Sequence, residues 1–208
     1  MTGKRRNIPP MTDNDSELIA AAKKGDVAAF NQLVLKYQGH AYNVAYRLLG
    51  NADAAADATQ DAFLKAYQRL HQLRGNAFRP WLLRIVTNTC YDMLRRSARR
   101  PTQSLEPADE NEEPDRLARW QSDAETPEDI ALRHEIHRVV QEGLLTLSPE
   151  HRAVVVLSDI EGLNYEEIAQ ALNVPVGTVK SRLSRARARL RDYLRQHHPE
   201  LLPRAYRL

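Results

Sequence analysis

The chain has 208 residues, 42% of them hydrophobic, with a mean hydropathy of −0.58, which suits one ordinary domain or two small ones with much exposed surface. The formal charge is only +3, yet residues 101–130 carry ten acidic and two basic side chains (net −8), and residues 176–208 carry nine basic and two acidic (net +7). Cys90 is the sole cysteine, which excludes an intramolecular disulfide and a multi-cysteine metal site, and no apolar run reaches the ~20 residues of a membrane-spanning helix.

Few glycines and aromatics beside 27% charged residues favour helices over a sheet. The opening MTGKRRNIPP is basic but has no apolar run after it, so a secretory signal is not expected and a cytoplasmic location is. Residues 1–15 read as a flexible tail. From Ser16, a candidate cap, Leu18, Ile19, Ala22, Phe30, Leu33, Val34 and Tyr37 recur at helical spacing. Gly25-Asp26 interrupts the pattern and starts a second helix, whose stripe runs through Ala41, Val44, Ala45 and Leu48 to a stop at Gly50. A third helix is predicted from Asp53 to Leu73, with Ala58, Ala62, Leu64, Ala66 and Leu70 inward. Arg74-Gly75-Asn76 breaks it, and Pro80 opens a fourth helix from Trp81 to about Arg96.

Residues 97–126 lack helical periodicity over most of their length and hold Pro101, Pro107 and Pro114. They read as an acidic linker with one short helix around Asp115 to Trp120. Regular structure resumes near Pro127, with Ile130, Ile136, Val139, Val140, Leu144 and Leu147 as the next apolar stripe. Ser148-Pro149 caps and opens a helix from Glu150 to Ile160, which Gly162 ends. The fold class is therefore all-α: two small helical domains (16–100 and 130–195) joined by an acidic flexible linker (101–129), with a C-terminal tail at 196–208.

The most specific motif spans residues 164–189. Asn164 caps a short helix with Glu167 reaching back, and Ile168, Ala169 and Leu172 form its inner face. Asn173-Val174-Pro175 turns the chain into a second helix, in which Val179 and Leu183 face inward and Lys180, Ser181, Ser184 and Arg185 lie on or near the opposite face. This is a helix-turn-helix whose second helix suits the major groove, where Lys and Arg reach guanine edges or phosphates. Arg182, Arg187, Arg189 and Arg191 add charge suited to phosphates.

The segments Tyr165-Glu-Glu-Ile-Ala and Pro175-Val-Gly-Thr-Val-Lys-Ser-Arg-Leu resemble the C-terminal DNA-binding region of bacterial sigma factors. Other helix-turn-helix regulators share this pattern, so the half alone leaves an autonomous repressor or activator open. The N-terminal half adds two further likenesses. The stretch from Asp57 to Tyr67 is similar to the sigma segment that binds the clamp helices of the polymerase's largest subunit. The stretch from Phe78 to Arg96 is similar to the segment that opens the −10 element. Three motifs in order, without the middle domain of larger sigma factors, resemble the extracytoplasmic-function group.

The resemblance implies a non-enzymatic subunit without cofactor or metal, whose partners are core RNA polymerase (clamp helices, and the flap of the second-largest subunit), promoter DNA and an anti-sigma protein. It implies polymerase contacts at Asp57, Gln60, Asp61 and Phe63, although an aromatic at that spacing also suits the core. The −10 element would meet Arg74, Gly75, Asn76, Arg79, Asn88, Arg95 and Arg96, and the −35 element Thr178, Lys180, Ser181, Arg182, Ser184, Arg185, Arg187 and Arg189. Trp81 has two readings, a core aromatic or a stacking platform for a base. The linker is either an inert tether or a segment that threads near the polymerase active site. No phosphate-cradling glycine loop, nucleophile elbow or metal-ligand cluster supports an enzyme.

Overall fold

The computed structural model describes residues 13–99 and 126–201, and among these the chain is helical without strands. The first half holds α1 (Asp13–Lys23), α2 (Val27–Leu49), α3 (Ala52–Arg69), a 3₁₀ turn (Leu70–Gln72) and α4 (Phe78–Arg99). The second holds α5 (Pro127–Leu145), α6 (Pro149–Val155) continuing as a π turn (Val156–Ile160), α7 (Tyr165–Leu172), α8 (Val176–His197) and a 3₁₀ turn (Pro199–Leu201). The acidic linker and the short helix expected within it lie outside the described residues.

Local chemistry sets most boundaries. The Asp26 carboxylate accepts from the amides of Ala28 and Ala29 at 2.9 and 3.1 Å and starts α2. Gly50, at φ 72°, ends α2 in the left-handed region. Asn51 caps α3 by accepting from the Ala54 amide at 2.8 Å. Ser16 is not a cap. α1 begins at Asp13, and the Ser16 hydroxyl lies inside it, accepting from Asn76 Nδ2 at 2.8 Å. The helix predicted to Leu73 gives way to the 3₁₀ turn after Arg69, and α4 starts three residues earlier than predicted, at Phe78.

In the first half, α2 lays Phe30, Leu33, Tyr37, Ala41, Val44 and Leu48 against α3 and α4. α3 answers with a row of buried alanines, Ala55, Ala58, Ala62 and Ala66, whose small size lets the helices approach closely. Leu64 is two residues out of phase with that row and is 56% exposed, so its predicted inward position is corrected. Phe78 joins Phe30 and Tyr37 in an aromatic cluster, with ring centroids 6.5 and 5.4 Å away. Asp15 is buried and accepts from the Tyr37 hydroxyl and from Lys36 Nζ, both at 2.5 Å, tying α1 to α2. Burial, the hydrogen bond and the Asp15 charge all push the Tyr37 phenol well above its ordinary pKa.

The second half packs Leu144, Leu147, Val154, Leu157, Ile168, Val179 and Leu183 into its core. In α5, Ile136 and Val140 remain partly exposed, while Val139 and Leu144 carry the inward face. Asn173 adopts φ 54° between α7 and α8, a left-handed position that an asparagine tolerates.

The two halves pack on each other. Arg152 of α6 is buried and donates to the carbonyls of Leu144, Leu145 and Leu147 at 2.9, 3.1 and 3.0 Å, and also to that of Leu48 in α2. One guanidinium thus satisfies the open carbonyl ends of two helices from different halves, where positive charge is favoured. Gln141 of α5 donates to the Tyr46 carbonyl at 3.2 Å and accepts from Arg47 at 3.3 Å. At Gly50 a Cβ would lie 2.7 Å from a terminal methyl of Leu145, so a side chain there would have to push that leucine aside as well as strain the left-handed backbone. α7 lies across α4.

Candidate nucleic-acid and polymerase interfaces

The helix-turn-helix forms as its sequence dictates. Asn164 and Glu167 make a reciprocal capping box, with both hydrogen bonds at 2.8 Å. Val179, Leu183 and Ala186 anchor α8, and Ser181, Ser184, Arg185 and Arg189 stand exposed on it. Thr178 and Arg182 are half-buried. Three of the expected DNA contacts have intramolecular partners: the Ser181 hydroxyl donates to the Thr178 carbonyl at 3.0 Å, and two cations are engaged as well. Lys180 Nζ lies 5.9 Å from the Tyr165 ring centroid, and Arg187 Nε donates to Asp159 at 2.9 Å. The positive field of this surface is felt by His151 of α6. Burial and the neighbouring Arg189, Arg182 and Arg185 hold its pKa below the ordinary value.

In the first half, Asn88 and Arg84 are exposed one turn apart on α4. With Lys65 and Arg69 of α3, Arg74 and Trp81, they line a cleft of about 600 Å³. The far wall is α7, which contributes Glu167, Gln170 and Ala171. Trp81 is half-buried, its ring 5.8 Å from Phe78, so it packs on the core and presents an edge to this cleft at once. Lys65, Arg69 and Arg84 were absent from the sequence expectation. Their signal is i, i+4 spacing, Lys65 to Arg69 and Arg84 to Asn88, which puts cations on the helix faces that meet here. Arg95 and Arg96 are exposed further along α4 and do not line the cleft, nor do Gly75 and Asn76.

Arg79 is placed differently from the expectation that it faces DNA. Its side chain is only 20% exposed and donates through Nη2 to both the carboxylate and the carbonyl of Glu161, at 2.7 and 2.6 Å. Glu161, at the end of the π turn, is 2% exposed and also accepts from His40 Nδ1 at 2.9 Å and Asn43 Nδ2 at 3.1 Å. Burial alone would raise the Glu161 carboxyl pKa. The hydrogen bonds and charges of His40 and Arg79 outweigh it and hold the carboxyl below its usual range.

A larger groove of about 1190 Å³ runs between α2 and α3, lined by Val34, Leu35, Tyr42, Gln60, Phe63 and Leu64 among others. Leu35, Leu64 and Tyr67 expose large apolar surface along it. Phe63 is 8% exposed, a core residue that shows an edge to the groove. Asp57 and Asp61 are exposed on α3 and are not among the residues that line the groove. Among the described residues there is no cluster of His, Cys, Asp and Glu that could hold a metal, and no helix long and apolar enough to cross a membrane.

Two family models match the chain: Sigma-70 region 2 over residues 33–100 and Sigma-70, region 4, over residues 137–190. The RNA polymerase sigma-H factor of Pseudomonas aeruginosa is 40% identical over 178 residues, covering 84% of this chain and 91% of that protein. The ECF RNA polymerase sigma factor SigE of Mycolicibacterium smegmatis is 40% identical over 179 residues, 85% of this chain, which spans 66% of that relative's length. Among solved structures, CnrH in complex with the cytosolic domain of CnrY is 31% identical, with a TM-score of 0.61 over 89% of this chain and 99% of that one. The chain belongs to the extracytoplasmic-function group of sigma-70 factors: a non-enzymatic factor that binds RNA polymerase and promoter DNA to direct initiation.

Proposed function

We propose that the α2–α3 groove is the polymerase-docking face, taking the clamp helices of the largest subunit, with Gln60 and the edge of Phe63 inside it and Asp57 and Asp61 exposed on the same helix α3. A clamp segment would bury apolar side chains against Leu35, Leu64 and Tyr67 and pair its basic groups with the two aspartates. The observation that carries this reading is the row of large exposed apolar side chains along one groove, with two exposed aspartates on the same helix α3, since monomeric proteins rarely leave such patches unpartnered.

Residues 16–100 then act as the polymerase- and −10-binding unit. Asn88, with Arg74, Arg84 and Trp81, holds an extruded base of the nontemplate strand, where an amide replaces the lost pairing edge, and Arg95 and Arg96 follow the backbone. Residues 130–195 act as the −35 reader and dock on the flap of the second-largest subunit. Ser184 and Arg185 face base edges, while Arg182 and Arg189 neutralise phosphates. Residues 101–129 tether the units. The factor works in the cytoplasm, and an anti-sigma protein restrains it by covering the same groove. The likeness to CnrH, solved with the cytosolic domain of CnrY, supports that partner class.

Asp61→Lys tests the docking face. Asp61 is exposed, so the change leaves the fold intact, whereas a lysine facing a basic clamp costs on the order of several kcal/mol at an interface. Pull-down of core enzyme is expected to fail with the variant while circular dichroism stays unchanged. A folded variant that retains core enzyme as wild type does overturns the assignment.

A further inference from the structure

We infer that the free chain rests in a closed form in which its −35-reading half covers its own −10 site, held shut by Glu161. Four observations converge. Glu161, from the second half, is almost wholly buried against the first, and all four of its side-chain and carbonyl contacts (Arg79 twice, His40, Asn43) come from the first half. α7 forms one wall of the cleft that holds Asn88, Arg84 and Arg74. Arg152 and Gln141 fasten the same junction through backbone carbonyls of α2. In addition, Arg79 pairs through Nη2 with a carboxylate, the group that most resembles a phosphate oxygen in charge and hydrogen-bonding capacity.

The closed form therefore gives Arg79 of the −10 half an acidic partner from the −35 half, Glu161, and sets Glu167 on the wall of the cleft that Arg74 and Arg84 also line. With α7 as a wall the cleft is bounded on that side, and movement of α7 widens it for a single strand of DNA. On opening, Arg79 exchanges the Glu161 carboxylate for a phosphate of that strand. The partner for the −10 face in the resting molecule is thus the second half of the same chain. This inference rests on the reading of the α4 cleft as the −10 site.

The test uses the full chain with spin labels at Gln32→Cys and Gln196→Cys, both exposed and on opposite halves. The buried Cys90 is left in place because it is inaccessible. Wild type is expected to give one narrow inter-label distance distribution by pulsed electron resonance. Glu161→Gln removes the charge, and Asn43→Asp sets a second carboxylate against Glu161 from a half-buried position; each is expected to broaden the distribution towards longer distances. The same variants, without polymerase, should bind a fluorescent single-stranded −10 oligonucleotide at least tenfold more tightly than wild type, and Asn88→Ala should remove that gain.

A broad distribution in wild type, or a narrow one in both variants with their helical content intact, overturns the closed form. Opened variants with no gain in oligonucleotide affinity overturn the occlusion. In that case, permanganate reactivity of promoter DNA bound by holoenzyme carrying Asn88→Ala reports separately on the −10 reading.

Discussion

Single residues in this molecule divide into those whose role follows from type and position and those whose partner is decided at a distance. Arg185 belongs to the first kind. It sits on the outward face of α8, one turn after Ser181, exposed and without an ion-pair partner among the described residues. Arg185→Ala is expected to cost about 1–3 kcal/mol of −35 affinity and to relax preference at one or two base pairs. Filter binding of holoenzyme to single-substituted promoters measures it. An equal loss on every variant would instead make Arg185 a phosphate anchor. Arg79 belongs to the second kind. Nothing in Phe78-Arg-Pro-Trp81 signals a carboxylate 82 positions later, and its paired, mostly covered state appears only with Glu161 in place.

Elements follow from caps and periodicity. The Asp26 cap, the Gly50 stop, the Asn164–Glu167 box and the proline opening α6 were all readable, because each satisfies an orphan backbone group within a few residues or, for the proline, removes one. The alanine row of α3 shows what periodicity conveys less well. Ala55, Ala58, Ala62 and Ala66 mark the buried face, and their small volume sets how closely α2 approaches. Ala62→Leu adds bulk where no space exists and is expected to lower stability by about 1–3 kcal/mol, read as a shift in the denaturant midpoint with helical content retained. A neutral result would mean that α3 can slide on α2. Leu64 was misjudged because an apolar side chain on a helix is assigned inward by type, whereas here phase with the alanines governs and a partner surface takes it instead.

At the scale of the whole molecule the junction makes stability sensitive to acid. His137 lies at the junction, its carbonyl accepting from Arg47, and burial first, then Arg47, Arg133 and His134, holds its ring pKa below 6.5. His151 is depressed likewise by burial and by the arginines of α8. A histidine with a lowered folded pKa contributes stability that is fully present above its unfolded value, and this contribution is lost as pH falls. Glu161, also lowered, adds a further loss below the ordinary carboxylate value of 4.5. The melting temperature is therefore expected to be level between pH 8 and 7, to fall from about pH 6.5 downward, and to fall less in a His137→Gln, His151→Gln double variant. An unchanged melting temperature from pH 7.5 to 5.5 would refute this coupling.

The sequence by itself determined the all-helical class, most helix boundaries, the helix-turn-helix and the outward face of α8, and a three-motif order that agrees with the family models at residues 33–100 and 137–190. Those features depend on interactions within about one or two helical turns, or on linear order, and both are written locally. Only the tertiary structure decided that Arg79 pairs with Glu161, that Arg152 closes the ends of two helices, that Leu64 faces a groove, and that α7 shares a cleft with Asn88. Each of these joins residues far apart in the chain or depends on which helix packs opposite. Residue type states what a side chain can bond, and only the packing of the two halves decides which partner comes within reach.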